Sequence, residues 1–446
     1  MSWRRWLAAT SAGVVACSLL AHQAQAAEPE KRPVPDYDGR GRPQPPARTA
    51  LWLPRLLLSP LYFVSEYLVR RPLGFAVTAA EKAELPSALY DFFAFGPDHK
   101  AGIVPIALVD FGFEPSVGLY AFWDDAGFAG HDLRLHGSTW GRNWLSGTAT
   151  ERFHLPNGLD LTLSGTATRR PDYAFYGIGP DTRESALVRY AADTVDVHAS
   201  SRATFAGGSF LDTSFGYRGA SFGHSRYPHD PSLDDAVAQG DLAMPDGFRA
   251  GYRAAYTRAR LALDSRGKAS SQTGVRVELN GEQGADTKHA PASGWLRYGG
   301  TLGGFLDLDD SGRVVSLSVS TLFADPIGER PVPFNELVQL GGPGMMPGFR
   351  AGRLADRSAA VATLRYAWPI WIWLNGSLQV ATGNVFGARL DGFRAGRGRL
   401  SAAVGIESSG SRDSIFQALV GFGTETFESG AQVDSLRVVV GARSGF

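Results

Sequence analysis

One cysteine in 446 residues, no surplus of either charge, and no long apolar run beyond the first two dozen positions set the first limits. A single thiol, Cys17, rules out a disulfide scaffold. With 44 basic against 44 acidic side chains, the chain lacks the cationic excess that displaces counterions, so no nucleic-acid partner is expected. No later stretch stays apolar over the ~20 positions that a membrane helix needs. Other residues are plentiful. Aromatics make up 11% and apolar residues 44%, ample material for burial and too much for a disordered chain. Glycine reaches 54 residues, about 12% against the usual ~7%. Such a chain fits repeated strands and turns.

The first segment reads as an address. Arg4 and Arg5 precede a short apolar core over 7–20, and Ala24-Gln25-Ala26 offers a small-x-small cleavage site, which predicts a signal peptide over 1–26. Val14-Val15-Ala16 before Cys17 suggests a lipoprotein signal instead, but the apolar run continues past the cysteine. Residues 27–50 carry Pro29, Pro33, Pro35, Pro43, Pro45 and Pro46 among charges and read as an extended linker. Over 51–100 a short helical periplasmic segment is expected. Ser59 suits its N-cap, Pro60 its first turn, Arg70 and Arg71 its last turn, and Pro72 stops it.

From 101 to 446 apolar and polar residues alternate with period two, interrupted by glycine-rich turns. In the last segment Leu436, Val438, Val440 and Phe446 share one face, while Arg437, Val439 and Arg443 take the other. Leu364, Tyr366, Trp368 and Ile370 repeat the pattern opposite Thr363 and Arg365. An all-β, transmembrane antiparallel barrel would turn the apolar face to lipid and the polar face to a wet lumen. Aromatics at strand ends, as in Tyr120-Ala121-Phe122-Trp123, suit an interfacial girdle. Tight turns at Pro156-Asn157-Gly158, Ala206-Gly207-Gly208, Asp309-Asp310-Ser311-Gly312 and Ser409-Gly410-Ser411 alternate with long polar excursions near 168–191, 218–252, 281–293, 331–356 and 386–399. That is the asymmetry of short periplasmic turns and long external loops. At roughly 20–22 residues per strand with its connection, 101–446 holds about sixteen strands.

Leu340-Gly341-Gly342-Pro343-Gly344-Met345-Met346-Pro347-Gly348-Phe349-Arg350, then Gly352-Arg353-Leu354, form a glycine-rich loop. A strand with Arg365-Tyr366-Ala367-Trp368-Pro369-Ile370 follows, and then Thr382-Gly383-Asn384-Val385-Phe386. Together with Phe175-Tyr176-Gly177-Ile178-Gly179 upstream, these stretches resemble the BamA/TamA family, the bacterial surface antigen superfamily of barrel insertases and translocons. The resemblance covers the barrel and is most specific over 338–386. It implies sixteen strands and a sixth external loop folded back into the lumen, with Gly341, Gly342, Gly348, Phe349 and Arg350 as the loop motif. Arg365, Tyr366 and Pro369 form the strand motif behind it, and the strand ending Leu436, Val438, Val440, Phe446 is the element that the barrel assembly machinery reads. It further implies outer-membrane localisation, lipid contact, and unfolded outer-membrane proteins as clients.

This chain departs from the family at the loop's ionic lock. Pro347 stands where the family's tip has arginine, Arg365 where it has glutamate, and Ala381 where it has aspartate. The cation and both anions are absent together, which leaves no single charge stranded. Arg350 is the candidate substitute, with no partner identifiable from sequence. No repeat domain of the family's periplasmic type is legible in 27–100. Three functions therefore stand: assistance to insertion or translocation of outer-membrane proteins or lipids, a passive pore or structural barrel that keeps only the fold, and, with the weakest support, a barrel enzyme acting on lipid through Ser221.

Signals for chemistry are weaker. Gly219-Ala220-Ser221-Phe222-Gly223 has nucleophile-elbow spacing, but that motif needs a strand–turn–helix setting. His224 and His229-Asp230 lack a completing ligand, and His131 and His136 fall on opposite strand faces. Asp307, Asp309 and Asp310 before Gly312 fit a hairpin turn better than a calcium loop. Neither a catalytic residue, a metal nor a cofactor is expected. Arg365, Arg437 and Arg443 point inward and read as solvated wall, with an anion-preferring passage as the sharper alternative.

Overall fold

A computed structural model describes residues 92–96, 98–205, 208–266, 273–289, 293–308, 312–371, 374–408 and 414–444. The expected leader, the proline linker, nearly all of the helical segment and Phe446 lie outside these residues. Sixteen antiparallel strands close into one barrel. They are β1 (Ala101–Asp110), β2 (Ser116–Trp123), β3 (His131–Thr139), β4 (Leu145–Leu155), β5 (Leu159–Phe175), β6 (Val188–Phe205), β7 (Ser209–His224) and β8 (Tyr252–Asp264). The second half comprises β9 (Gly274–Asp286), β10 (Ser293–Asp307), β11 (Val314–Ile327), β12 (Ser358–Trp371), β13 (Leu374–Phe386), β14 (Arg399–Ser408), β15 (Ser414–Thr424) and β16 (Val433–Ser444). Each strand pairs with its neighbour in sequence, and β16 returns to β1.

The period-two pattern sorts side chains as a bilayer requires. On β16, Leu436 is 62% exposed while the next residue, Arg437, is 1% exposed. Leu317, Val319, Leu364, Val404 and Val420 also face outward and are exposed, so the apolar surface lies outside the sheet. Lipid is the solvent that such a surface suits. The inner wall is polar: between β4 and β5, Ser146 meets Thr168 at 3.0 Å, Thr148 meets Thr166 at 3.2 Å, and Thr150 meets Ser164 at 3.0 Å. Among the described residues no helix is long and apolar enough to cross a membrane.

The longest connections, 176–187, 225–251, 328–357 and 387–398, all lie at one end. Short turns, such as Pro156–Gly158 between β4 and β5, lie at the other. The alternation expected from sequence fails at 111–115 and 140–144, which are short, and at 265–273, which is longer than 287–292 opposite it. Strands run further into the long excursions than composition suggests. β5 extends to Phe175, β7 to His224 and β9 to Asp286, which shortens three of the excursions to 176–187, 225–251 and 287–292. Neighbouring strands supply the missing hydrogen bonds there, so polar residues tolerate an extended backbone. The 225–251 excursion contains a short helix, α1 (Leu233–Gln239), stopped by left-handed Gly240.

The sixth connection at the long-loop end, 328–357, enters the barrel. Its arms pair as a small hairpin, Val338–Leu340 against Leu354–Asp356. Phe334 at its base packs against Phe175, Tyr190, Phe222 and Phe248, with ring centroids 4.8–6.0 Å apart. Leu233 and Ala236 of α1 join this buried cluster, as do Leu340, Met346 and Phe349 of the loop. The long-loop end of the lumen is thus filled by a hydrophobic core of its own.

Candidate functional site

The folded-back loop and the junction of β16 with β1 form one site. The loop's path depends on glycine: Gly341 and Gly342 take φ of 104° and 72°, and a Cβ on Gly341 would strike the Arg350 carbonyl. Cross-links Gly341 N to Met345 O (3.0 Å) and Gly342 N to Phe349 O (2.8 Å) close the tip. Gly348 lies so near the Phe422 backbone that no Cβ fits, and the Phe349 ring covers Gly423 in the same way. Gly348 N donates to Ser401 Oγ (2.9 Å) on β14, and Ser435 Oγ on β16 donates to Gly348 O (3.3 Å). Fully buried Phe349 therefore docks on the inner wall of β14–β16.

The ionic lock expected to be lost is present in another form. Its main loop cation is Arg353, with a fully buried side chain. Arg353 Nε donates to Glu184 Oε2 (2.9 Å), Nη1 to Thr182 Oγ1 (2.8 Å), and Nη2 to Thr182 O (3.0 Å) and Asp434 Oδ2 (3.2 Å). Its guanidinium also sits 4.9 Å from the Tyr176 ring centre. Burial, with the Glu184 carboxylate beside it, pushes the Tyr176 hydroxyl up to about 12, so it stays protonated. Arg350, the substitute suggested by sequence, reaches Glu184 only at 3.5 Å. Arg365 does not reach the loop: it pairs with Glu407 on β14. Arg437 lies inward, where its Nη1 donates to the loop carbonyls of Gly342 (2.9 Å) and Pro347 (3.3 Å), and its Nη2 to Asp110 Oδ2 (2.9 Å). Both side chains are therefore paired, Arg365 half-buried with Glu407 and Arg437 buried between the loop and Asp110.

Three separated sequence elements converge here. Gly179 N, in the turn after Phe175-Tyr176, donates to Ala355 O in the hairpin (3.0 Å). Asn384 Nδ2, fully buried, donates to Pro180 O in that turn (3.0 Å). Arg399 Nη2 donates to Pro180 O (3.1 Å) and Thr182 O (2.6 Å). At the loop's base, Glu336 accepts from Arg218 (3.0 Å) and Arg297 (3.2 Å), and from the Tyr252 hydroxyl.

The seam is the weakest junction of the barrel. β16 and β1 share three paired positions, Val439 with Asp110, Val440 with Val109 and Gly441 with Leu108, against seven or more in every other adjacent pair among the described residues. At the foot of the seam, Ala94 and Phe95 pair with Gly102 and Ala101. β2 occupies the other side of those residues, so the short strand covers the seam edge. Between these contacts, 103–107 have no strand partner on that edge among the described residues. Pro105 lies in the middle and has no N–H to offer.

The remaining motif residues are placed elsewhere. Tyr366 stacks on Trp368 at 5.3 Å between ring centres, and Pro369 sits where the β12–β13 register shifts. Leu436, Val438 and Val440 lie on β16, opposite Phe422, Val420 and Ala418. Ser221 is within strand β7, paired with Asp193, which is not an elbow setting. His224 meets Asp234 and Asp235 of α1, all exposed or half-buried, whereas Asp230 pairs with Arg189 at 2.8 Å. Asp307 Oδ2 accepts from Gly312 N at 3.2 Å, a turn contact. Sequence reasoning missed Arg353, Glu184, Asp434 and Asp110 as partners; the one available signal was Arg353, directly after a motif glycine.

No family model and no curated protein matches the sequence. Solved structures do. BamA from Haemophilus ducreyi lacking POTRA domains 1–3 superposes with a TM-score of 0.53 at 13% identity, over 77% of this chain and 70% of that one. CdiB from Acinetobacter baumannii reaches a TM-score of 0.47 at 11% identity, over 77% and 59%. With the sixth connection of the long-loop end folded inward across a sixteen-stranded wall, the chain shares the barrel fold of BamA.

Proposed function

We propose that this is an outer-membrane barrel, exported by its leader, that assists insertion or translocation of outer-membrane proteins or lipids. The observation that carries the reading is the three-pair seam, a junction weak enough to part while the other fifteen hold. Each ladder pair left unmade removes net hydrogen-bond stabilisation on the order of 1 kcal/mol, so this junction opens at far lower cost than any other. An opened β1 edge offers backbone donors and acceptors to an incoming strand in the manner of β-augmentation. Its partners on this reading are membrane lipids and unfolded barrel clients, and the assembly machinery during its own insertion.

The alternative, a passive pore, is disfavoured by the core of Phe175, Tyr190, Phe248, Phe334 and Phe349 that fills the long-loop end. The test uses purified protein in liposomes with an unfolded model barrel as client. Client folding faster than in empty liposomes, and faster than beside an unrelated barrel of equal size, is the expected result. Equal rates in all three would reject assistance and leave a structural barrel.

A further inference from the structure

The folded-back loop touches both sides of the seam. On the β16 side, Gly348 and Phe349 dock against β14–β16 as described. On the β1 side, the Arg350 guanidinium covers Gly112, two residues past the end of β1, where a Cβ would meet it at 2.8 Å. Between the two sides stands Arg437. One guanidinium, 1% exposed on the last strand, donates to two loop carbonyls and to the Asp110 carboxylate on the first strand. Asp110 is itself one of the three paired seam positions, and Arg437 is two residues from another, Val439.

We propose that loop 328–357 is an internal strap across the seam, with Arg437 as the joint that makes loop docking and seam closure one event. The physical reason is the economy of acceptors around a buried cation. The loop supplies two of the three acceptors bonded to Arg437, and its Nε has none. If the loop leaves, the guanidinium loses both bonds of Nη1 and must rotate toward water, which takes it from Asp110. If the seam parts, Asp110 leaves and the loop loses the anchored donor that held Gly342 and Pro347. Linkage then requires the coupling to run equally in both directions. The strap deepens the reading of the seam as the working junction and rests on it for its purpose, but the coupling is measurable without any client.

Hydrogen exchange of the full-length barrel in lipid tests it. In Gly348→Ala the added methyl collides with the Phe422 carbonyl and undocks the tip, with no change at Asp110 or Arg437. Amides of 108–110 and 439–441 should exchange about tenfold faster or more, the loss of one to two charge-assisted bonds, while those within β5 and β6 stay as they were. The reverse arm is Asp110→Asn, which keeps the shape and removes the charge; it should raise exchange at the loop amides of Gly341, Gly342 and Phe349. A folded G348A barrel with a freed loop and an unchanged seam overturns the strap. So does D110N with an unchanged loop, and this arm decides the matter if G348A does not fold. Coupled exchange without client acceleration would keep the strap and remove the insertase reading; acceleration with uncoupled exchange would do the converse.

Discussion

Replacing Arg353 by methionine removes the loop's main cation while conserving much of its length. Four hydrogen bonds disappear, two of them to carboxylates. Neither carboxylate is left alone: Glu184 keeps Arg350 at 3.5 Å and the Tyr176 hydroxyl at 3.4 Å, and Asp434 keeps Arg399 at 3.6 Å. Breaking a fully buried pair costs ~3–5 kcal/mol, and the surviving partners and partial hydration of Glu184 reduce the expected loss to about 2–3 kcal/mol. Arg353→Lys retains charge but not the planar fork that serves Glu184, Thr182 and Asp434 together, so an intermediate loss is expected. Arg350→Gln, which gives up a longer ion pair with Glu184 and a contact with Tyr176 but leaves Arg353 in place, should cost less, about 1 kcal/mol. Denaturant unfolding of the lipid-reconstituted barrel, read by tryptophan fluorescence, gives the three midpoints. Limited proteolysis of the folded protein reports cleavage within 341–353. R353M that unfolds at the wild-type midpoint with a protected loop would refute the lock, and so would R350Q falling as far as R353M.

Other perturbations test other parts of the account. Val319→Arg, on the outward face near the middle of β11, should cost about 2–4 kcal/mol in the bilayer, whereas an inward substitution at Thr148 should cost far less; equal effects would contradict the assignment of faces. Glu336→Gln removes the anion shared by Arg218 and Arg297 and should lower stability by about 2–4 kcal/mol, measured by the same unfolding assay. Because aromatic residues fill the long-loop end, single-channel conductance in planar bilayers should be small and should rise when 338–356 is deleted, with a less stable barrel. A large, steady wild-type conductance would restore the passive-pore reading.

The barrel was legible in sequence because its determinants are local. Alternation such as Leu436/Arg437/Val438, or Leu364/Arg365/Tyr366, states which face is wet whatever lies across the sheet. The strand number follows from chain length, and the loop motif from glycines such as Gly341 that only a reversing backbone requires. The lock was illegible for the opposite reason. Arg353 is 169 residues from Glu184, and Arg437 is 327 from Asp110, so no spacing rule joins them. Reading the motif by position suggested that a cation and two anions were gone. In three dimensions the charge has moved: the wall now supplies Arg437 to loop carbonyls, and the loop supplies Arg353 to wall and turn carboxylates. Strand ends were misjudged at β5, β7 and β9 because polar residues there read as loop, while cross-strand bonds hold them extended.

The most direct test of the central claim joins the seam covalently. Val109 and Val440 are paired across it, so cysteines at both positions are placed to form a disulfide. In liposomes, the oxidised V109C/V440C barrel should lose its acceleration of client folding and regain it on reduction. Undiminished acceleration with the seam locked would contradict a mechanism that works through the parting of β16 from β1.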